Sequence, residues 1–544
     1  MLDIRKPVWL LGLAFILLIG GLGSWGLTES SEARYAEIGR EMYRSGDYLH
    51  PTDLGIRHYH KPPVTYYLTS LGYAIFGVNE FGARFFLAVA FTLQLLLIWK
   101  ISLLLFNDRK MALASAVAYF SIPLALLSGR ILTTDAYLNT CALASVFFFV
   151  HHRLRGQTWS LYAFYLAWGL GFLTKGPAVL IPIGAFIASW KVIRRESIFF
   201  SIHSVLAGLL CVLLSGSWYL MVSLDNPNFL EYFVGEQIFN RAVSASDLHR
   251  AKPIWYYLLL APLVGLPWLP FGFSAWLGSR GKANRQAPGV RIVAFTALAV
   301  LAFYSVISSK LIFYVLPMFP YVALLAGYYL FRVPEKGLKA LSGSLLGLTG
   351  LLVIGVGILP WVSNLGRDAA EGLLFVIFGA GILLWLVRRF PLAHPNRILG
   401  LSVLLGLQII WGYALVAAAN PYTIHTYREL AAKVRQLDPA HERPVVAYNF
   451  WVPSIAFYRN QPFTTVKAGN QRIQTELQFE QDTLYRANLI DTDLPGEEAR
   501  LLKKIRQEMP LMIFLENDSI PKTIKRELTG AHTLELYHKY LIYF

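Results

Sequence analysis

The sequence predicts a polytopic α-helical membrane protein that ends in a small soluble α/β domain. Of its 544 residues, 55% are hydrophobic and only 15% charged, where a soluble protein of this size carries about a quarter charged residues. Apolar runs long enough to cross about 30 Å of hydrocarbon recur at thirteen places. Beyond residue 418 the hydrophobic density drops and short strand-like runs appear. The formal charge of +16 does not point to nucleic acid. Its lysines and arginines fall in short clusters between apolar runs, the pattern of cytoplasmic loops.

In chain order, the predicted spans are 8–27, 83–105, 111–129, 136–153, 158–173, 176–192, 198–222, 255–278, 290–308, 311–331, 337–361, 370–388 and 397–417. The first follows Arg5-Lys6 like a signal peptide, but it is about twenty residues long and has no small-x-small cleavage site, so it reads as a retained span. The fifth and sixth meet at Lys175-Gly176-Pro177, which leaves a count of twelve as the alternative. The basic clusters, from Arg5-Lys6 through His151–Arg155 and Lys191–Arg195 to Arg388–Arg397, then share one side, read as the cytoplasm. An odd number of crossings places 28–82, 130–135, 174–176, 223–254, 309–310, 362–369 and everything after 418 on the other face. The domains expected are thus 1–417, a membrane domain with outer loops 28–82 and 223–254, and 418–544, an outer α/β domain. Its strands are expected at 444–448, 511–515 and 540–544, with helices near 425–437 and 496–508. Cys141 and Cys211 lie inside apolar runs and suggest no disulfide framework.

The loop 28–82 is the candidate catalytic element. Ser30 or Ser31 can cap a helix in which Tyr35, Ile38 and Met42 recur at helical spacing until Ser45-Gly46, an amphipathic helix expected to lie along the interface. Glu29 and Glu32 sit at its start. Acids there complement the helix dipole; they also suit a base at the bilayer edge, where water exclusion raises carboxylate basicity. In His58-Tyr59-His60-Lys61-Pro62-Pro63, the prolines stiffen the backbone that carries Lys61, a natural contact for a lipid phosphate. No cofactor is expected to be required. The histidines offer zinc too few ligands by themselves, so a zinc ion at His60 or His249 is kept only as the alternative.

Other outer-face residues repeat the theme. Arg84 opens the second span, and Asp135, at the top of the fourth, must be paired with a cation such as Arg84 or Arg130 or belong to the site. Lys175 interrupts two apolar runs, and the loop 223–254 carries Arg241, His249 and Arg250 before the aromatic belt Trp255-Tyr256-Tyr257. Lys310 lies in a tight turn, with Tyr314 one helical turn deeper.

These residues make the chain resemble the membrane-embedded C-type glycosyltransferases, in particular the aminoarabinose transferases that modify lipid A and, more distantly, the protein O-mannosyltransferases. The resemblance rests on ARYAEIGREM with SGDYLHP (Ala33 to Pro51), GIRHYHKP (Gly55 to Pro62), NEFGARF (Asn79 to Phe85), Asp135, FLTKGP (Phe172 to Pro177), NPNFLEYFVGEQ (Asn226 to Gln237), HRAKPIWYY (His249 to Tyr257), LPW (Leu266 to Trp268) and SKLxxYxLP (Ser309 to Pro317). It implies the C-type glycosyltransferase fold, a bacterial inner-membrane location with the site facing the periplasm, and transfer of a sugar from undecaprenyl phosphate to lipid A or another envelope acceptor. The first outer loop differs from the transferases: Ser31-Glu32 stands where they commonly read Asp-Glu, and His60 replaces a glutamate before the Lys-Pro.

The resulting expectation is an inverting displacement at the anomeric carbon. Glu32, with Glu29 and Asp135, supplies the carboxylates, while Lys61, Arg84, Lys175, Arg241, Arg250, Lys310 and Tyr314 bind the lipid phosphate. The rival readings are a protein O-glycosyltransferase and, from a different class, a lipid-linked sugar transporter or flippase, which should carry ionisable residues at mid-membrane.

Overall fold

The computed structural model describes residues 7–29, 31–196, 201–240, 252–279, 287–362, 369–419, 425–440, 442–460, 464–477, 488–515, 520–536 and 539–543. By its contacts the chain divides into two compact units, Met1–Leu22 with Arg84–Ala419, and Gly23–Ala83 with Asn420–Phe544. The sequence reading placed loop 28–82 in the membrane domain. The contacts group it instead with the C-terminal residues, for a reason visible in the second unit's core.

The first unit is helical. Among the described residues eight helices are long and apolar enough to cross a membrane, or nine if Tyr256–Val264 and Trp268–Gly278, bent by 105°, form one span. The protein is therefore a multi-pass membrane protein, and several expected spans are less regular than a hydropathy pattern suggests. The first helix stops at Ile19. The run 111–129 is two helices, Arg109–Phe120 and Pro123–Ser128, because Pro123 cannot donate to a continuing ladder.

The apolar stretch Thr158–Arg194 is 37 residues long, but it is not one straight rod. The ring of Phe149 lies 5.9 Å from Phe164, 6.2 Å from Phe186 and 5.6 Å from Trp190. In a straight helix residues 164 and 186 would be about 33 Å apart. The chain therefore reverses between helices Thr158–Lys175 and Leu180–Arg194, at Gly176, whose φ of +63° suits a residue without a Cβ.

Four polar side chains inside this unit, Gln94, Tyr119, Asn139 and Thr140, form a connected network. Tyr119 donates to Gln94 Oε1 at 2.6 Å, Asn139 donates to the same oxygen and to the Tyr119 hydroxyl, and Gln94 Nε2 donates to Ala136 O and Thr140 Oγ1. Partners of this kind offset the cost of removing these polar side chains from water.

The second unit is built on a six-stranded mixed sheet. Its strands, after the hairpin β1 (Thr52–Asp53) and β2 (Ile56–Arg57), are β3 (Val445–Tyr448), β4 (Thr464–Lys467), β5 (Leu489–Asp491), β6 (Leu511–Leu515), β7 (His532–Leu536) and β8 (Lys539–Tyr543). The order is β5-β4-β3-β6-β8-β7, with β5, β4, β3 and β6 parallel and β8 antiparallel to both neighbours. Strand periodicity divides the core between two faces. Val445, Ala447, Leu511, Ile513 and Leu541 pack on helices Arg428–Leu437 and Pro453–Arg459, whereas Val446, Tyr448, Met512, Phe514 and Ile542 pack on Glu497–Glu508 and Lys522–Glu527. The expected strands near 445, 511 and 540 and both expected helices are present.

Loop 28–82 joins this core through its own apolar residues. Leu54, in the β1–β2 turn, is buried with Leu430 and Val452, and Ile56 with Ile473 and Leu489. Helix Ser31–Ser45 was expected to lie along the interface. Its apolar face is instead covered by protein, with Ile38 and Met42 packed on Tyr66 of helix Val64–Phe76.

Candidate active site

Within the membrane unit, the reversal at Gly176 presents Lys175 as the last residue of its helix, and Asp135 lies in the first turn of helix Thr134–Arg155. Lys175 Nζ donates to Asp135 Oδ1 at 2.6 Å and stands 4.5 Å from the centroid of the Tyr314 ring. Asp135 thus pairs with Lys175 rather than with Arg84 or Arg130. Those two arginines are buried and donate to backbone: Arg84 to Leu22 O, and Arg130 to Leu18 O and Gly20 O. Tyr304 lies 6.1 Å from Tyr314, ring to ring, and Tyr257 donates to Leu311 O. The Tyr219 hydroxyl, buried beside Gly176, has no hydrogen-bond partner among the described residues. The cluster is one carboxylate, one ammonium and a fan of phenols, a neutral ensemble in which a phosphate could replace Asp135 as the partner of Lys175.

Lys310 is also buried, and it donates to Lys252 O at 3.0 Å and to Ile307 O. Burial lowers its pKa from the ordinary lysine value. Arg241, His249 and Arg250 lie outside the described residues.

In the other unit, both acids at the helix start have backbone partners. Glu32, only 2% exposed, accepts the Thr28 N–H at 2.9 Å, and Glu29 Oε1 accepts the Ser454 N–H at the start of helix Pro453–Arg459. The dipole-complementing reading of these acids therefore has a geometry: each satisfies an amide near a helix N-terminus. Neither is turned to bulk solvent as a free surface carboxylate, and Lys61 is half-buried.

A second ionic network runs through this unit. Arg34 Nη2 meets Glu476 Oε1 at 2.8 Å and Arg34 Nε approaches Asp53 at 3.5 Å, while Trp451 Nε1 donates to Asp53 at 2.8 Å. Burial raises the pKa of Asp53 although Arg34 opposes it. Burial disfavours the charge on Arg34, but Glu476 and Asp53 outweigh it and keep the guanidinium protonated. Glu37 takes a bidentate pair with Arg40. Burial, then the neighbouring Glu37, raises Glu41 to about 8. None of Glu41, Asp53 and Glu476 stood out in the sequence. Glu476 is more than four hundred positions from Arg34 and lies in no recognisable motif.

The other side of Glu476 faces the histidines. His58 Nδ1 lies 3.5 Å and His60 Nδ1 3.8 Å from Glu476 Oε2, an atom with no hydrogen bond among the described residues. The ligand atoms of the three residues lie within 4.8 Å of one another. With metal–ligand bonds of about 2.0–2.1 Å, the edge of a tetrahedral site is about 3.4 Å, so small rotations would suffice. Of the two histidines singled out for metal, His60 belongs to this group and His249 lies outside the described residues.

The family model described as dolichyl-phosphate-mannose-protein mannosyltransferase matches residues 60–219. An undecaprenyl phosphate-alpha-4-amino-4-deoxy-L-arabinose arabinosyl transferase of Sodalis glossinidius (strain morsitans) is 32% identical over 357 residues, 62% of each chain. In the first four such relatives the matched region spans 62% to 65% of their length. The enzyme of the same name from Pseudomonas paraeruginosa (strain DSM 24068 / PA7) is 32% identical over 420 residues, 71% of this chain and 72% of that one. A crystal structure of ArnT from Cupriavidus metallidurans bound to undecaprenyl phosphate shares the fold, with a TM-score of 0.78 at 20% identity over 99% of this chain and 98% of that one. Sequence match and shared architecture together show that the chain belongs to the undecaprenyl phosphate-aminoarabinose arabinosyl transferase family.

Proposed function

We propose that this protein transfers 4-amino-4-deoxy-L-arabinose, or a closely related sugar, from undecaprenyl phosphate to an envelope glycolipid of the lipid A type. The observation that carries this reading is the 32% identity over 72% of a relative bearing that name. We assign the leaving phosphate to Lys175, Tyr314 and Lys310. Lys175 leaves Asp135 for the departing oxyanion, and the Tyr314 hydroxyl donates to it, so charge is stabilised where it develops. In the loop unit Lys61 is assigned to phosphate, and Glu32, with Glu29, to orienting the acceptor. A lipid A phosphate is already nucleophilic and needs orientation more than deprotonation. Arg241 and Arg250 keep their proposed role as phosphate contacts.

Glu32→Gln separates the two readings of that residue. The amide still accepts the Thr28 N–H, so folding changes by less than about 1 kcal/mol, whereas a carboxylate needed for the reaction costs about 10²–10⁴-fold in turnover. Full activity of the variant would leave Glu32 as a helix-end acceptor alone. The assay is transfer from purified undecaprenyl-phosphate sugar to lipid A, read by mass spectrometry. A protein acceptor labelled in its place would favour the O-glycosyltransferase reading suggested by the match over residues 60–219. Movement of the lipid-linked sugar across vesicles without transfer would favour a flippase.

For topology we propose thirteen crossings with the amino terminus in the cytoplasm and residues 28–82 and 418–544 in the periplasm, a reading supported by the distribution of basic clusters. Alkaline phosphatase fusions after residues 155 and 440 should be inactive and active respectively; the reverse would invert the topology. We further propose that His58, His60 and Glu476 hold a divalent cation such as zinc, which would tie the loop to helix Gln471–Glu476 as a structural clamp. Purified protein should then carry metal by elemental analysis and lose it in His58→Ala. Failure to take up zinc at micromolar excess would leave the trio as an ion-paired cluster.

A further inference from the structure

Away from the acidic and cationic clusters, the membrane unit contains a groove of about 570 Å³, within the range of about 300–1,000 Å³ typical of ligand sites. One side is helix Trp268–Gly278 and the other the first turns of helix Glu335–Val362, with the turn Tyr329–Pro334 between them. Helix Trp268–Gly278 packs parallel to Phe319–Tyr329, as the neighbours of Gly265 and Gly272 show: Phe319 beside the former, Val322 and Leu325 beside the latter. Ser279 Oγ then meets the Tyr329 hydroxyl at 2.9 Å at the far end.

The lining changes character along this length. Near Leu266 and Pro267 it is mainly apolar, with Phe271 and Leu341 continuing it and the hydroxyls of Ser274 and Ser344 donating back to Phe271 O and Ala340 O of their own helices. At the other end stand the Ser279 and Tyr329 hydroxyls and the exposed Arg332, which stacks 4.0 Å over the Tyr328 ring and donates to Tyr328 O. Lys336 follows one turn on, and Lys339 pairs with Glu335. An eleven-residue helix is about 17 Å long, close to the roughly 15 Å depth of one leaflet's hydrocarbon. An apolar trough one leaflet deep, with a guanidinium and two hydroxyls at its mouth, has the polarity profile of a single phospholipid.

We propose that this groove holds an anionic glycerophospholipid, its acyl chain lying between Phe271 and Leu341 and its phosphate at Arg332. Charge complementarity selects the occupant. The mouth is cationic, and an anionic headgroup near a basic side chain gains affinity that a zwitterionic one does not. The site is distinct from the Asp135–Lys175 cluster and takes no part in sugar transfer.

The test uses the full-length protein in detergent, titrated with phosphatidylglycerol or with phosphatidylcholine of the same acyl chains, and counts bound lipid by native mass spectrometry. Phosphatidylglycerol should occupy one tight site at about fivefold lower concentration than phosphatidylcholine. Arg332→Gln should erase that preference and Arg332→Lys should retain it. Ala340→Phe, which fills the groove, should lower retention of both lipids and keeps the proposal testable should Arg332→Gln fail to fold. Equal binding of the two lipids by the wild type, a preference that survives Arg332→Gln, or retention unchanged by Ala340→Phe would overturn the proposal. So would undecaprenyl phosphate displacing phosphatidylglycerol from this site, which would assign the groove to the carrier lipid.

Discussion

Lys175 illustrates how one side chain carries two readings at once. A half-buried ammonium 2.6 Å from Asp135 and 4.5 Å from the centroid of the Tyr314 ring is electrostatically satisfied, yet it is also the group able to change partner, since lysine is a compact charge on a flexible stem. Lys175→Met should reduce turnover about 10²–10³-fold, the size seen when one preorganised donor to a developing oxyanion is lost. Substrate binding measured separately should weaken far less, and an unchanged turnover would remove Lys175 from the reaction. Glu41 makes a pH prediction. Its value of about 8 in the folded chain lies above the ordinary 4.5, so between those limits the folded chain keeps a proton that the unfolded chain has released. Stability is therefore favoured below about 4.5 and falls as pH rises through the window to about 8. The thermal midpoint should drop across that window in the wild type, and Glu41→Gln should flatten the drop.

Helices of the membrane unit are set by where backbones must approach. A Cβ on Gly327 would meet Ser115 and the Met111 carbonyl on the facing helix Arg109–Phe120, the close approach that small residues permit between membrane helices. Gly327→Ala should destabilise the detergent-solubilised protein by about 1–3 kcal/mol through overpacking, visible as a lower thermal midpoint with no change in lipid-donor specificity. Elements of the α/β sheet were legible unevenly. β3, β6 and, after Lys539, β8 are continuous apolar runs, as expected for strands covered on both faces, whereas β4, with Thr464, Thr465 and Lys467, and β7, with His532 and Glu535, carry polar residues and gave no such signal. Lys467 is tolerated there because Asp491 and Asp493 lie 3.0 Å and 2.7 Å from it.

At the scale of the whole molecule, residues 23–83 and 420–544 form one compact unit although more than three hundred positions separate them. The loop buries Leu54 and Ile56 in cores supplied mainly by the C-terminal strands and helices, and Glu29 accepts from Ser454. A chain ending at residue 419 should therefore expose the loop: limited proteolysis should cut between 45 and 60 in the truncated protein and not in the full chain, and transfer activity should be lost with it. Sequence alone determined that this is a multi-pass membrane protein with a C-terminal α/β part, because span length and strand periodicity are local properties of the chain. It also brought out Glu32, Asp135, Lys175 and Lys310, because charges beside apolar runs are conspicuous. Tertiary structure alone decided their partners: Asp135 with Lys175 rather than an arginine, Glu29 with a helix 425 residues away, and His58 and His60 with Glu476. Pairing energies depend on distance in space, and a linear sequence records only distance along the chain.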